Sequence, residues 1–132
     1  MIVLDENILD GQRLLLEAWR IPVRQIGHDF ARKGLQDEDV VVALRRLRNP
    51  TFCTRDADFY CREIGSASYC LVVVCGNQYE VASFVRRLLR HPGFDTHSKR
   101  MGKVVRVAPN GLRFWEVHQQ AERAEGWKSR PA

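Results

Sequence analysis

Short apolar runs alternate with amphipathic stretches along this chain, and that alternation predicts a parallel α/β sheet. Ile2-Val3-Leu4 is an apolar run that stops at Asp5. From Asp10-Gly11 onward, Leu14, Leu15, Ala18 and Trp19 recur with the spacing of one helix face. Pro22 ends that helix, because its ring removes a donor and restricts the residue before it. Val23 to Ile26 is a second strand candidate. Asp37-Glu38-Asp39 opens a second helix, where carboxylates suit the positive end of the dipole. Val40, Val41, Ala43, Leu44 and Leu47 supply its buried face, and Asn49-Pro50 closes it. Thr51-Phe52-Cys53-Thr54 is a third strand. Tyr69 to Cys75, with Val72, Val73 and Val74 in succession, suits a strand buried on both faces. Asn77 with Glu80 resembles a capping pair for a third helix carrying Val81, Phe84, Val85, Leu88 and Leu89. Lys103 to Ala108 and Leu112 to Val117 flank Pro109-Asn110-Gly111 and predict an antiparallel hairpin on the edge of the parallel sheet.

These elements predict a three-layer α/β/α domain with a mostly parallel sheet and a C-terminal β-hairpin. A length of 132 residues fits a single domain over 1–132. Its expected parts are an α/β core over 1–92, the hairpin over 103–118 and a polar tail over 119–132, frayed from Lys128. No stretch approaches the roughly 18 apolar residues of a membrane span, so no membrane association is expected. No basic, apolar leader pattern precedes Asp5, and the expected compartment is the cytoplasm. Cys53, Cys61, Cys70 and Cys75 include no CxxC pair, and no histidine stands at zinc-finger spacing. They read as reduced thiols that pack as small hydrophobes.

Charge narrows the choice of partner. Lys and Arg total 21 against 16 Asp and Glu, a net charge of +5 that favours a polyanion. Arg45, Arg46 and Arg48 cluster, as do Arg86, Arg87 and Arg90, and Lys99, Arg100, Lys103 and Arg106.

The acids fall in a more telling place. Asp5 ends the first strand, Asp56 and Asp58 follow the third, and Asp37 starts the second helix. Ligands of open parallel sheets bind outside the carboxyl ends of the strands. If the strands are parallel, Asp5, Asp37, Asp56 and Asp58 gather at one end and repel one another. A hard divalent cation relieves that repulsion, and Mg²⁺ prefers carboxylates with waters and substrate phosphates. Such a cation positions a phosphate and activates water. Each motif alone has a plainer reading as turn chemistry, dipole complementation or a surface ion pair. Their joint placement is what points to a site.

Four motifs resemble the PIN-like nuclease domains, and most closely a short branch related to the toxins of bacterial toxin–antitoxin pairs. They are Leu4-Asp5-Glu6-Asn7, Gly27-His28-Asp29, Gly34-Leu35-Gln36-Asp37-Glu38-Asp39 and Thr54-Arg55-Asp56-Ala57-Asp58-Phe59. The last is the most specific, and the resemblance covers about residues 1 to 92. It implies an Mg²⁺- or Mn²⁺-dependent endoribonuclease. Asp5, Asp37, Asp56 and Asp58 would be its catalytic and metal-site acids, with Glu6 and Glu38 as second choices. Asn7 would orient the site by hydrogen bonding. Implied partners are RNA, a small antitoxin protein and a second copy of the chain. One departure is the segment between the second and third acids, which is shorter here than in classical PIN domains and runs only from Asp39 to Thr54.

Arg55, Arg45 and Arg46 are candidates to hold an RNA backbone. The rival reading is a non-catalytic module of the same fold that binds nucleic acid or protein. A phosphatase-like hydrolase of small phosphoesters is a third. His28 is placed to reach the cleft, whereas His91, His97 and His118 have no relay partners. Ser66 and Ser68 lack a nucleophile-elbow pattern. Trp115 and Phe114 are candidates either for stacking bases or for packing the hairpin.

Overall fold

The computed structural model describes residues 1–127. One seven-stranded sheet organises them, with the order β2-β1-β3-β4-β5-β6-β7. Its strands are β1 (Ile2–Leu4), β2 (Val23–Gln25), β3 (Thr51–Thr54), β4 (Cys70–Val74), β5 (Lys103–Ala108), β6 (Gly111–Glu116) and β7 (Arg123–Glu125). The first five are mutually parallel, and β6 and β7 run antiparallel to their neighbours. Helices α1 (Asp10–Ala18), α2 (Asp37–Arg45) and α3 (Val81–Arg90) make three of the crossovers. Two 3₁₀ turns, Ala57–Phe59 and Arg62–Ile64, stand in for a helix between β3 and β4, and a short α4 (His97–Arg100) precedes β5.

The strand alternation divides the core in two. Ile2, Leu4, Cys53, Val72, Val74, Val105 and Val107 face one layer, where they meet Leu16 of α1 and Val81, Phe84, Val85 and Leu88 of α3. Val3, Phe52, Leu71, Val73 and Val104 face the other, with Val40 and Leu44 of α2 and Phe59 from the first 3₁₀ turn. The central strands β1, β3 and β4 thus bury both faces, which is why β4 is an unbroken apolar run. This is the expected α/β architecture with a mostly parallel sheet.

The expected hairpin forms, β5 against β6 from Lys103↔Glu116 to Ala108↔Gly111, and β5 joins it to the sheet as a fifth parallel strand, paired with β4 through Leu71↔Val104 to Val74↔Val107. The parallel part of the sheet thus ends at β5, and β6 and β7 are its antiparallel extension. The polar tail also joins the sheet before Lys128. Residues 123–125 form β7 against β6, and the Trp127 indole N–H donates to the Ala108 carbonyl at 2.6 Å. Gly111 permits this, since a Cβ there would sit 2.8 Å from the Glu125 carbonyl oxygen. The expectation for residues 128–132 lies outside the described residues. Finally, Asn77 and Glu80 do not cap α3. Asn77 Oδ1 accepts from the Tyr79 N–H in a local turn, and the Ala82 N–H donates to Gln12 Oε1 of α1 at 2.9 Å. The cap comes from a residue 70 positions away, which no local pattern encodes.

Candidate metal centre at the carboxyl rim of the sheet

The strand order sets the location. The chain leaves β1 for β2 on one side, then crosses back through α2 to β3 on the other. The order reverses between β1 and β3, and such a switch point opens a crevice beyond the strand ends. Asp5 follows β1 directly, and Asp56 and Asp58 follow β3. The first turn of α2 delivers Asp37 to the same rim.

Asp37, Asp56 and Asp58 each offer a carboxylate oxygen, and these oxygens lie within 4.8 Å of one another. All three residues are exposed. Asp5 stands behind them, half-buried. Its Oδ2 accepts from the Thr54 hydroxyl at 2.6 Å, and its Oδ1 accepts from the Glu6 N–H at 2.8 Å. The Thr54 oxygen accepts in turn from the Asp56 N–H at 3.0 Å, and Asp56 Oδ1 accepts from the Asp58 N–H at 2.9 Å. A single run of hydrogen bonds thus fixes Asp5, Asp56 and Asp58 relative to each other. Thr54 is its buried middle member.

The electrostatics follow from that crowding. Burial raises the Asp5 carboxyl above its ordinary value, against the hydrogen bonds from Thr54 and Glu6, and the charges of Glu6 and Asp56 add to the rise. The Asp37 carboxyl is also raised, by desolvation first and then by the charges of Asp56, Asp58, Glu38 and Asp5. Asp37 thus feels the charges of the other three acids and Asp5 that of Asp56, although only Asp37, Asp56 and Asp58 converge closely enough to share a ligand.

The second-choice acids have other places. Both oxygens of Glu6 accept from the Gly34 N–H at 3.0 Å. That contact ties the loop before α2 to the loop after β1, and Gly34 holds a positive φ of 80° that favours glycine. Glu6 thereby positions Asp37 and stays out of the cluster. Glu38 is exposed on α2 and is not part of the trio. Asn7 is exposed, and its side chain makes no hydrogen bond among the described residues. Arg55 lies at the rim and donates to the Gly76 carbonyl at 3.1 Å, joining the ends of β3 and β4. Arg45 and Arg46 are not brought to the acids. Arg45 ends α2 and Arg46 is the next residue, roughly 12 Å along the helix from Asp37 at ~1.5 Å per residue. His28 is exposed at the end of β2, 3.3 Å from Asp29.

Sequence reasoning missed two residues that hold this rim. Gln25, the last residue of β2, is 2% exposed. Its amide N–H groups donate to the Asp5 and Ile8 carbonyls at 3.0 and 2.8 Å, and its oxygen accepts from Arg13 at 2.6 Å. Arg13, itself buried, also donates to Asp10 at 2.8 Å. The pair clamps the turn that carries Asp5. The apolar spacing of α1 pointed to Leu14, Leu15, Ala18 and Trp19 as the inward face, but Leu14 and Ala18 are exposed and Gln12, Arg13 and Leu16 are buried, so only the alternation of Gln25 with Val23 on β2 offered a signal.

No family model, curated protein or solved structure matches this chain. No helix among the described residues is long and apolar enough to cross a membrane.

Proposed function

We propose that the protein is a metal-dependent ribonuclease whose centre is the Asp37, Asp56 and Asp58 cluster, backed by Asp5. The observation that carries this reading is the convergence of three exposed carboxylates at a switch point. The donor set fits a hard divalent cation. It is all oxygen, it is anionic, and its exposure leaves room for the waters that Mg²⁺ or Mn²⁺ retains. When bound, the cation supplies Lewis-acid polarisation of a phosphoryl group and a nucleophile at neutral pH. The chain's own residues do the rest. Thr54 holds the Asp5 and Asp56 carboxyls in register, Glu6 holds the Asp37 loop, and Gln25 with Arg13 holds the Asp5 turn. The net charge of +5 supports a polyanionic substrate.

The motif resemblance extends the proposal to a PIN-like fold and to a cytoplasmic toxin. Its partners would be a small antitoxin protein and a second copy of the chain. The decisive experiment pairs calorimetry with RNA cleavage. Mn²⁺ titrated into wild type should release or absorb heat that the Asp37→Asn, Asp56→Asn variant lacks. Saturating metal should also raise stability, by about 2.7 kcal/mol at roughly 100 times the dissociation constant. Labelled single-stranded RNA should be cut by wild type, and neither in EDTA nor by Asp56→Asn. Equal heats from both proteins, or cleavage that survives EDTA, would overturn the proposal. Metal binding with intact RNA binding and no cleavage would leave the non-catalytic module.

A further inference from the structure

The two faces of the antiparallel extension carry different charge. One face, shared with Val105, Val107, Leu112 and Phe114, pairs its ions. Lys103 and Arg123 lie 3.9 and 3.5 Å from Glu116, and Glu125 lies 3.5 Å from His91. The opposite face holds Arg106 and Arg113, which are direct cross-strand partners. Both are exposed, and no strand position of β5, β6 or β7 on this face is a carboxylate. Arg106 and Arg113 line an open basin with Ala108, Asn110, Gly111 and Ala124, and Glu125 of β7 borders it as well. Ala124 sits opposite Arg113 in the β6–β7 register.

The arginines are held and still have donors to give. Arg106 Nε donates to Cys75 Sγ at 3.1 Å, and Arg113 pairs through NH1 with Glu122 at 3.2 Å. Glu122 arrives from the loop before β7 and is also hydrogen-bonded by the Tyr60 hydroxyl. Among the described residues no other side-chain nitrogen of Arg106 or Arg113 is engaged, which leaves guanidinium N–H groups for an oxyanion. Beside them, half-buried Trp115 lies under Arg62, 5.9 Å from the ring centroid. Phe114 is buried on the other face, whereas half-buried Trp115 lies on this one.

We propose that this face binds the phosphate backbone of single-stranded RNA and leads it to the acidic rim. The identification of the polyanion as RNA rests on the proposed function; the anion-binding face rests on the charge segregation. Cys75 and Gly76 follow β4, and through them Arg106 connects to Arg55, the residue before Asp56. From β6 to β3 is three strand spacings, roughly 14 Å at ~4.8 Å each, so a bound strand reaches the acids within a few nucleotides. The open sheet face suits a splayed single strand better than a stiff duplex.

The test is fluorescence anisotropy of a labelled single-stranded RNA against metal-free protein in EDTA, across a salt series. Arg106→Gln with Arg113→Gln should weaken binding and reduce the slope of log K against log salt by about 1.4, two phosphate contacts at ~0.7 each. Ala124→Glu, which sets a carboxylate opposite Arg113 on a solvent-facing edge strand, should weaken binding without removing a cation. Arg45→Gln with Arg46→Gln removes the same charge at the far end of α2 and should leave affinity near wild type. Unchanged affinity in the Arg106, Arg113 variant and in Ala124→Glu would overturn the proposal. So would equal losses in the two arginine pairs, or tighter binding of duplex than of single strand. Loss confined to the Arg106, Arg113 face, in a protein that binds no metal, would uphold this surface while the nuclease reading fails.

Discussion

Two polar groupings sit within a few residues of each other at the carboxyl rim, and they are built on opposite rules. Gln25, Arg13 and Asp10 form a closed set in which donors meet acceptors: an amide bridges two carbonyls and a guanidinium, and the guanidinium meets a carboxylate. Among the described residues no buried side-chain nitrogen or oxygen lacks a partner. The Asp37, Asp56 and Asp58 cluster is open, and its members share one sign of charge. Its hydrogen bonds fix geometry and supply no countercharge at the point of convergence. Folding accounts for the first grouping, since buried polar groups are costly unless satisfied. The second is held against its own repulsion by Thr54, which accepts from the Asp56 N–H, and by Glu6, which ties down the loop before Asp37; a bound cation would relieve that repulsion.

That contrast can be broken from either side. The largest effect should come from the closed set. Gln25→Leu leaves Arg13 without its buried partner and takes the amide donors from the Asp5 and Ile8 carbonyls. We expect a loss of about 3 kcal/mol in urea denaturation. A loss under ~1 kcal/mol would show that the clamp is dispensable.

A smaller effect separates the two roles of Asp56, which caps the first 3₁₀ turn as well as joining the cluster. Asp56→Ala removes the acceptor for the Asp58 N–H and should cost about 1 kcal/mol. Asp56→Asn keeps an acceptor while removing the charge. The metal-free melting temperature of Asp56→Asn should match or exceed that of wild type. Equal destabilisation by both substitutions would make the charge itself structural.

The smallest effect lies in pH dependence. The Asp5 and Asp37 carboxyls are raised in the folded protein, so each favours folding when protonated. Their contribution is fully present below the unfolded value near 3.8 and is lost as pH rises through the raised folded value. Asp29, Asp95 and Glu122 are lowered and act in the opposite direction, so the informative quantity is a difference between proteins. The stability of metal-free Asp37→Asn relative to wild type should therefore grow between pH 4 and neutrality. The gain should stay within the ~0.5 kcal/mol typical of surface positions. A difference that shrinks with rising pH would mean that Asp37 is stabilised by a cation rather than crowded by acids.

Most regular elements could be read from the chain because their signals are local. The run at Tyr69 to Cys75 needed only its apolar content, and α2 needed only its acidic first turn and Pro50. The acids Asp5, Asp37, Asp56 and Asp58 were likewise legible as strand-end and helix-start residues. The rest depended on distant partners. Residues 123–125 form β7 because β6 offers an unpaired edge and Gly111 lets the backbone approach. The roles of Glu6, Thr54, Gln25 and Gln12 lie in contacts from 28 to 70 residues away, apart from the neighbouring Asp56 N–H held by Thr54 and the contacts of 12 to 20 residues made by Gln25.

The sequence by itself determined the periodicities, the positions of the breakers and which residue types stand at the ends of strands, since each is a property of neighbours along the backbone. Tertiary structure decided that β5 joins the parallel sheet and that the switch point falls between β1 and β3. It also decided that Asp37 meets Asp56 and Asp58 while Arg45 and Arg46 point elsewhere. Those outcomes depend on register and crossover, and a shift of one residue in strand pairing turns every side chain to the other face. The same alternation, fixed only by pairing, places Arg106 and Arg113 together on one face of the extension and sends Glu116 and Glu125 to the other.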